Sequence, residues 1–176
     1  MMKLLKKTNN AWLYWEVWND GKLLTVHYGT VGDRGEAEEI KLGMFDKPAK
    51  EMERLASEQM ENGYEELDED ELIEFVVQFS YTPDKADEAL EKRHIAEDIM
   101  NEALGWTGNG HCDGGDVGSG TTNIFCYVVD PEKALQATLE ELRENELLDS
   151  TVKIAYENSE EEYVTLYPPG VEFELM

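Results

Sequence analysis

The sequence predicts an α+β protein made of two consecutive units, and three observations indicate this. Residues 11–19 and 22–31 alternate between apolar and polar side chains around Asp20-Gly21, a pattern typical of a β-hairpin. Apolar residues recur at spacings of three and four in three later segments, which indicates amphipathic helices. Six carboxylates in the seven residues 65–71 predict a solvated, extended linker between the units.

The hairpin determines which residues of the first unit share a face of its sheet. Counting back from its turn places Trp18 opposite Leu23 and Trp15 opposite Val26. One face then carries Leu13, Trp15, Val17, Leu24, Val26 and Tyr28, and the other carries Tyr14, Glu16, Trp18, Leu23, Thr25 and His27. Because both faces hold aromatic residues, we expect one to be covered and the other partly exposed. His27 has no evident partner in this register.

A loop, a strand and a helix follow the hairpin. Glycines punctuate residues 29–35, and residues 36–42 are predicted to form a third strand. Asp46 is a candidate N-cap for a helix that has Pro48 in its first turn, where a missing N–H costs little. Gly63 suits the C-terminal end of this helix. The first unit is therefore predicted to be a small sheet with one helix.

This unit, residues 1–68, resembles a WGR domain, a family named for a Trp-Gly-Arg tripeptide followed by a Val-Gly-x-x-Gly loop. The corresponding residues here are Tyr28, Gly29 and Thr30, followed by Val31, Gly32, Asp33, Arg34 and Gly35. The aromatic hairpin, the helix and the closing Gly63-Tyr64 also match the family pattern. The resemblance implies an antiparallel sheet with one helix. Such domains contact DNA in poly(ADP-ribose) polymerases, and they also occur in many small bacterial proteins.

The tripeptide departs from the family at both side chains that touch nucleic acid in the polymerases. Tyr28 stands in place of the tryptophan, and Thr30 replaces the arginine and supplies no cation. The resemblance implies a binding surface around this loop. Its candidate residues are Trp18, Tyr28, Thr30 and Arg34, with Lys22 and Lys41 nearby. ADP-ribose transfer is not implied, since no polymerase catalytic domain follows.

The second unit, residues 69–176, is predicted to be a ferredoxin-like α/β sandwich. Its predicted elements are a strand over 72–81, a helix over 82–104, a strand over 122–129, a helix from 130, and strands over 152–156 and 163–167. A glycine-rich connecting segment over residues 105–120, which we call the return, follows the first helix. The order is therefore strand, helix, return, strand, helix, strand. Right-handed crossovers would place both helices on one sheet face, and the last strand at an edge.

The return over residues 105–120 holds the densest group of chemically reactive side chains. These are His111, Cys112, Asp113, Asp116 and Ser119, among seven glycines. Four interpretations remain open: a turn-rich connection with aspartate–backbone bonds, a phosphate-binding loop, a metal site, and a nucleophile pair of Cys112 and His111. The P-loop ending and the dinucleotide fingerprint are both missing. Neighbours in sequence also face one ion poorly, which weakens the metal interpretation.

The charge is strongly asymmetric. The chain has 40 acidic and 15 basic residues, a net charge of −25. Residues 1–50 hold eight basic and seven acidic side chains, whereas residues 51–176 hold seven basic and 33 acidic ones. The acidic part should repel polyanions. It is either a solvated surface or a face that neutralises a basic protein, as an inhibitor or immunity-type protein would.

These observations predict a non-enzymatic binding protein whose ligand is nucleic acid or protein, and they imply no cofactor. No catalytic signature is present in the sequence. Apolar runs are shorter than the roughly 18 residues of a membrane span, and the N-terminal lysines precede no apolar core. Two cysteines do not make a disulfide framework, so a reducing, cytoplasmic location is expected.

Overall fold

A computed structural model describes residues 1–175, and in this part of the chain the fold is α+β, with two five-stranded antiparallel sheets and three helices. Contacts divide the chain into two compact units. The first contains residues 1–70 together with 106–108, and the second contains residues 71–105 and 109–175. Among the described helices, none has both the length and the apolar character needed to cross a membrane.

The first unit has five strands and one helix. They are β1 (Met2–Lys7), β2 (Trp12–Asp20), β3 (Leu23–Thr30), β4 (Glu36–Lys41), α1 (Pro48–Glu61) and β5 (Glu65–Glu66). The sheet order is β4-β3-β2-β1-β5. The sequence did not predict β1, in which both Leu4 and Leu5 are buried. Successive strand residues point to opposite faces, so these two leucines fill both sides of the sheet.

The predicted hairpin register is wrong by two residues. Trp18 lies opposite Thr25 and Trp15 opposite Tyr28, because Gly21 and Lys22 form the turn between Asp20 and Leu23. A shift of two preserves which side chains share a face, since the strand period is two. The predicted apolar face is confirmed as a core. Its buried members are Leu4, Trp15, Val17, Leu24, Val26, Met52 and Ala56, the last two from α1.

The start of α1 differs from the prediction. Lys47, not Asp46, is the N-cap, and its side chain makes no capping hydrogen bond. Oδ2 of Asp46 instead accepts a 2.7 Å hydrogen bond from the N–H of Gly43, which closes the loop before the helix. Pro48 occupies the first turn as expected. Asp46 is therefore a loop residue, and α1 begins without the cap that the sequence suggested.

The acidic stretch is more ordered than the predicted linker. Glu65 and Glu66 form β5 and pair with Leu5 and Leu4. Residues Glu69–Glu71 form a short 3-10 turn. The backbone of β5 pairs while the carboxylates of Glu65 and Glu66 stay hydrated, because β5 is at the edge of the sheet and both side chains are exposed.

The second sheet has the predicted ferredoxin-like arrangement with one additional strand. The elements are β6 (Ile73–Ser80), α2 (Ala86–Trp106), β7 (Gly110–Gly118), β8 (Thr121–Val128), α3 (Pro131–Glu144), β9 (Val152–Glu157) and β10 (Tyr163–Tyr167). The sheet order is β10-β9-β6-β8-β7, so the last strand is an edge addition, as predicted. The glycine-rich return is a nine-residue strand, β7, with an irregular register between Cys112 and Gly115.

The second core lies between one face of this sheet and the helices α2 and α3, and all of these elements contribute side chains to it. It contains Phe75, Val77, Phe79, Ala96, Met100, Leu104, Ile124, Cys126, Val128, Ala134, Leu142, Val152 and Ile154. The predicted start of α3 is confirmed, because Oδ1 of Asp130 accepts hydrogen bonds from the N–H groups of Glu132 and Lys133 at 3.0 Å. Each unit thus has an apolar core of its own.

Candidate functional site

The six predicted binding residues do not lie on one surface. Trp18 is on the face of the first sheet that carries Glu16 and His27, whereas Tyr28 and Thr30 share the opposite face with the α1 core. Lys41 pairs with Leu23 and so lies on the Trp18 face. The pleat therefore separates the aromatic residue Trp18 from the tripeptide positions.

Tyr28 is paired with carboxylates. Its hydroxyl donates to Oε1 of Glu38 at 2.9 Å and to Oε2 of Glu36 at 3.4 Å. The hydrogen bond to Glu38, followed by desolvation and the charges of both carboxylates, raises the pKa of Tyr28 to about 12. A phosphate approaching this hydroxyl would meet two negative charges, and neighbouring Thr30 has no cation to offset them.

Two of the predicted cationic residues, Lys22 and Arg34, make contacts within the first unit. Nζ of Lys22 donates a short hydrogen bond to the carbonyl of Asp46 and so fastens the hairpin turn to the loop before α1. Arg34 is exposed at the tip of the loop that follows β3, where its carbonyl oxygen accepts from Nε2 of His27 at 2.7 Å. The guanidinium of Arg34 stays near the surface while its backbone is bound to a buried ring.

A buried polar cluster occupies the face that was expected to be partly exposed. His27 is 1% exposed and Glu16 is 5% exposed, and the two residues are directly opposite each other on β3 and β2. Nδ1 of His27 lies 2.8 Å from Oε1 of Glu16. The hydroxyl of Tyr14 lies 3.1 Å from Nε2 of His27 and donates to the carbonyl of Asp33 at 3.2 Å. His27 therefore has the partner that the sequence did not suggest.

The hydrogen bonds define where the protons are. The carbonyl of Arg34 can only accept, so Nε2 of His27 carries a hydrogen. Nδ1 and Glu16 then share one further proton. Nζ of Lys3 lies 3.7 Å from the other oxygen of Glu16, so this carboxylate has two partners, Lys3 and His27. Burial lowers the pKa of Lys3 more than the attraction of Glu16 raises it.

Aromatic rings close this cluster within the first unit. Trp18 and Trp106 make edge contacts with the His27 ring, at centroid distances of 6.2 and 5.1 Å, and with each other at 6.4 Å. Because water has little access to the His27 ring, the cluster serves to hold the loop of residues 31–35 and does not present an acid or base at the surface. Trp18 is correspondingly a packing residue.

The loop between β4 and α1 carries the most exposed apolar pair. Met44 is 85% exposed and Phe45 is 93% exposed, and we call this pair the apolar tip. The surrounding turn is held by the Gly43–Asp46 hydrogen bonds and by the contact from Lys22. Four exposed lysines flank the tip, and we call them the lysine rim: Lys22, Lys41, Lys47 and Lys50. The signal in the sequence was two apolar residues in a loop, outside any periodic pattern.

The predicted metal residues are not brought together. His111 lies against the ring of Tyr127, with ring centroids 6.0 Å apart, while Cys112 belongs to the opposite, core side of the strand. Oδ1 of Asp116 accepts from the side chain of Asn123 at 2.6 Å. Across residues 1–175, no group of three or more His, Cys, Asp or Glu side chains is arranged to hold a metal ion. Strand alternation separates these side chains, because neighbouring residues of β7 point to opposite faces of the sheet.

Comparisons of the chain with protein-family models, with curated proteins and with solved structures return no match. The functional interpretation therefore depends on the residues of this chain. Two surface features are candidates for contact with another molecule: the apolar tip with its lysine rim, and a pocket of about 510 Å³ in the second unit. The cations of that pocket are engaged, because Lys92 lies over the ring of Phe79 and donates to Asp149 at 2.7 Å. In the lysine rim, Lys22 is bound to the carbonyl of Asp46, whereas Lys41, Lys47 and Lys50 are exposed.

The raised tyrosine pKa values predict loss of stability in alkali. Burial, followed by the charge of Glu16, raises the pKa of Tyr14, and burial, followed by a hydrogen bond to Glu74, raises that of Tyr163. With Tyr28 at about 12, the folded protein keeps protons that the unfolded chain loses above about pH 10. The contribution of these tyrosines to the free energy of unfolding should be constant below about pH 10 and fall as the pH rises towards 12.

Denaturant unfolding at stepped pH, with tyrosinate absorbance recorded on the folded protein, measures this effect. Tyr28→Phe removes one of the raised groups and should make the fall in stability shallower. Tyrosinate absorbance that rises fully at pH 10 in the folded protein, with an unchanged slope in the variant, would contradict the assignment.

Proposed function

We propose that this chain is a non-enzymatic interaction protein whose first unit is a WGR-like module that binds another protein. The partner surface would be an apolar pocket bordered by carboxylates. The exposure of Phe45 at 93%, in an ordered turn flanked by lysines, is the observation that carries this proposal. A side chain this exposed buries little surface within its own unit, so its burial is available to a partner.

The arrangement of the first unit supports the WGR-like interpretation. An antiparallel sheet has α1 packed on one face, and the hairpin of β2 and β3 leads into the loop that contains Gly32 and Gly35. Gly63, with φ of 87°, follows α1 as in the family pattern. These features agree with the family pattern that residues 1–68 resemble, and they support the WGR-like part of the proposal.

Energetics favour the tip as an anchor. Burying one phenylalanine side chain is worth about 1.5–3 kcal/mol, and interface energy concentrates in a few such anchors. The lysine rim surrounds this anchor with positive charge, while residues 51–176 are strongly acidic. Charged rims mainly set the rate and specificity of association. Carboxylates at the border of a partner's pocket would therefore complement the lysine rim, whereas lysines or arginines there would be repelled by it.

A protein ligand is supported better than nucleic acid. The hydroxyl of Tyr28 is bonded to Glu36 and Glu38, Thr30 carries no charge, and Trp18 is packed against His27. The three aromatic and polar positions implied by the family resemblance are thus unsuited to contact with phosphate or sugar. In addition, the acidic part of the chain raises the cost of bringing a polyanion close.

Photo-crosslinking from position 45 tests the proposal. A photoreactive phenylalanine analogue at Phe45 should give protein adducts in extracts of the source cells, and the same analogue at Val117, an exposed position of the second unit, should not give the same adducts. Phe45→Ser should weaken binding of the crosslinked partner by about tenfold to about a hundredfold, from the lost burial. Val117→Ser is the matched control and should leave the affinity unchanged.

Two outcomes would redirect the interpretation. Gel mobility of nicked and blunt DNA at low salt should not change with this protein, and a shift abolished by Lys47→Glu would assign the lysine rim to nucleic acid. Retention of a basic protein that is sensitive to salt and unaffected by Phe45→Ser would instead favour the inhibitor or immunity-type function of the acidic residues. Equal adducts at positions 45 and 117 would refute the proposed surface.

A further inference from the structure

The two cysteines are cross-strand neighbours. Cys112 on β7 and Cys126 on β8 are directly opposite each other, and their Sγ atoms are 3.0 Å apart as free thiols. The N–H of Cys112 donates to Oδ1 of Asn101 at 3.0 Å, which identifies the two cysteines as a non-hydrogen-bonded strand pair. Cα atoms in such pairs are about 4.5 Å apart, within the range of about 4.4–6.8 Å that disulfides span. The backbone is therefore already positioned for a bond.

The two thiols differ in their access to solvent. Cys112 is half-buried at an edge strand, whereas Cys126 is fully buried in the core of the second unit. Burial, followed by the hydrogen bond and charge of Cys112, raises the pKa of the Cys126 thiol. An oxidant in solution can thus reach Cys112, while Cys126 reacts only with a group that Cys112 presents to it.

We propose that Cys112 and Cys126 are a redox modification site, which closes to an intramolecular disulfide when the protein meets a small-molecule disulfide of the oxidised glutathione class. In the first step the thiolate of Cys112 attacks one sulfur of the oxidant, and the other sulfur leaves as a thiolate. In the second step Cys126 loses its proton and its sulfur attacks Sγ of Cys112, which releases the second thiol. Two electrons and two protons pass to the oxidant, which becomes two thiols.

The bond would fix an edge strand that is otherwise weakly specified. β7 contains four glycines in nine residues, and its register becomes irregular directly after Cys112. Glycine-rich strands specify their pairing poorly because few side chains distinguish the two faces. A covalent link at the last regular pair would hold β7 to β8 and restrict the unfolded chain. Cytosolic disulfides of this kind are typically transient and redox-sensing.

Incubation of the folded protein with oxidised glutathione tests the site. The wild-type protein should lose both thiols and two hydrogens in intact mass, retain no glutathione, stay monomeric on a non-reducing gel, and return to two thiols with reductant. Its thermal midpoint should be higher in the oxidised form. Cys126→Ala should stop at the first step and accumulate one glutathione adduct on Cys112. Cys112→Ser should remain unmodified while folded.

Three results would overturn the proposal. These are a wild-type protein that keeps both thiols under conditions in which Cys126→Ala forms its adduct, one that retains glutathione, and one whose oxidation yields only intermolecular dimers. If Cys126→Ala fails to fold, the mass and thiol count of the wild-type protein still decide the question, because only the intramolecular bond removes two hydrogens without adding mass.

Discussion

Glu16→Ala should lower the free energy of unfolding of the first unit by about 3–5 kcal/mol. Removal of one partner from a buried ion pair leaves the other charge without compensation, and this is the penalty typical of such a change. Here Nδ1 of His27 loses its buried hydrogen-bond partner, and Lys3 loses its nearby carboxylate. Denaturant unfolding followed by tryptophan fluorescence measures the loss, because all four tryptophans belong to the first unit.

Two variants distinguish this ion pair from a general effect of charge. Glu39→Gln changes an exposed carboxylate in the neighbouring strand β4 and should alter stability by less than about 0.5 kcal/mol. Glu16→Gln keeps an acceptor for Nδ1 of His27 but removes the charge, so its cost should lie between those of the other two. Equal stabilities of Glu16→Ala and Glu39→Gln would show that the contacts of Glu16 contribute nothing to stability.

Gly35→Ala should strongly destabilise the first unit. Gly35 has φ of 63°, and a Cβ there would lie 2.2 Å from the hydroxyl oxygen of Tyr14 and 2.3 Å from the carbonyl oxygen of Tyr28. The carbonyl belongs to β3 and cannot move without breaking the sheet. We expect a loss of more than about 3 kcal/mol, with Tyr14 displaced from its bond to Asp33.

Gly21→Ala is the matched control. Gly21 has a similar φ of 56°, yet a Cβ at this position would meet no atom within 4 Å. Gly21→Ala should therefore cost only the penalty for placing a residue with a Cβ in the left-handed region, about 1–2 kcal/mol. The difference between the two variants, measured by the same fluorescence-monitored unfolding, isolates the steric overlap around Tyr14. Similar losses in both variants would mean that the loop after β3 yields to an added methyl group.

The alternation of side chains in the sequence was a reliable guide to the sheets. It assigned both faces of the hairpin correctly and gave the strand–helix order of the second unit. It missed β1, because Leu4 and Leu5 are consecutive apolar residues among lysines and show no alternation. It also misplaced Asp46 as a helix cap, since a hydrogen bond to Gly43 competes for the same carboxylate.

The site was harder to predict because it depends on register and on the pleat. The two-residue error in register separated His27 from Glu16, which the structure places directly opposite each other. The predicted alternation already assigned Trp18 and Tyr28 to opposite faces, so a single surface containing both was inconsistent with the strand period. Cys112 and Cys126 are 14 residues apart, and only the pairing of β7 with β8 brings them together.

Strand β4 has a consequence for how copies of this chain meet. It lies at one end of the first sheet, where unpaired backbone groups could recruit a strand from another molecule. Its outer surface carries Glu36, Glu38 and Glu39 within six residues. If the β4 strands of two copies paired, their glutamates would lie close to each other across the two strands. Like charges in that position are destabilising. The acidity of the chain therefore does more than keep its surface hydrated: at this border it opposes sheet polymerisation between copies.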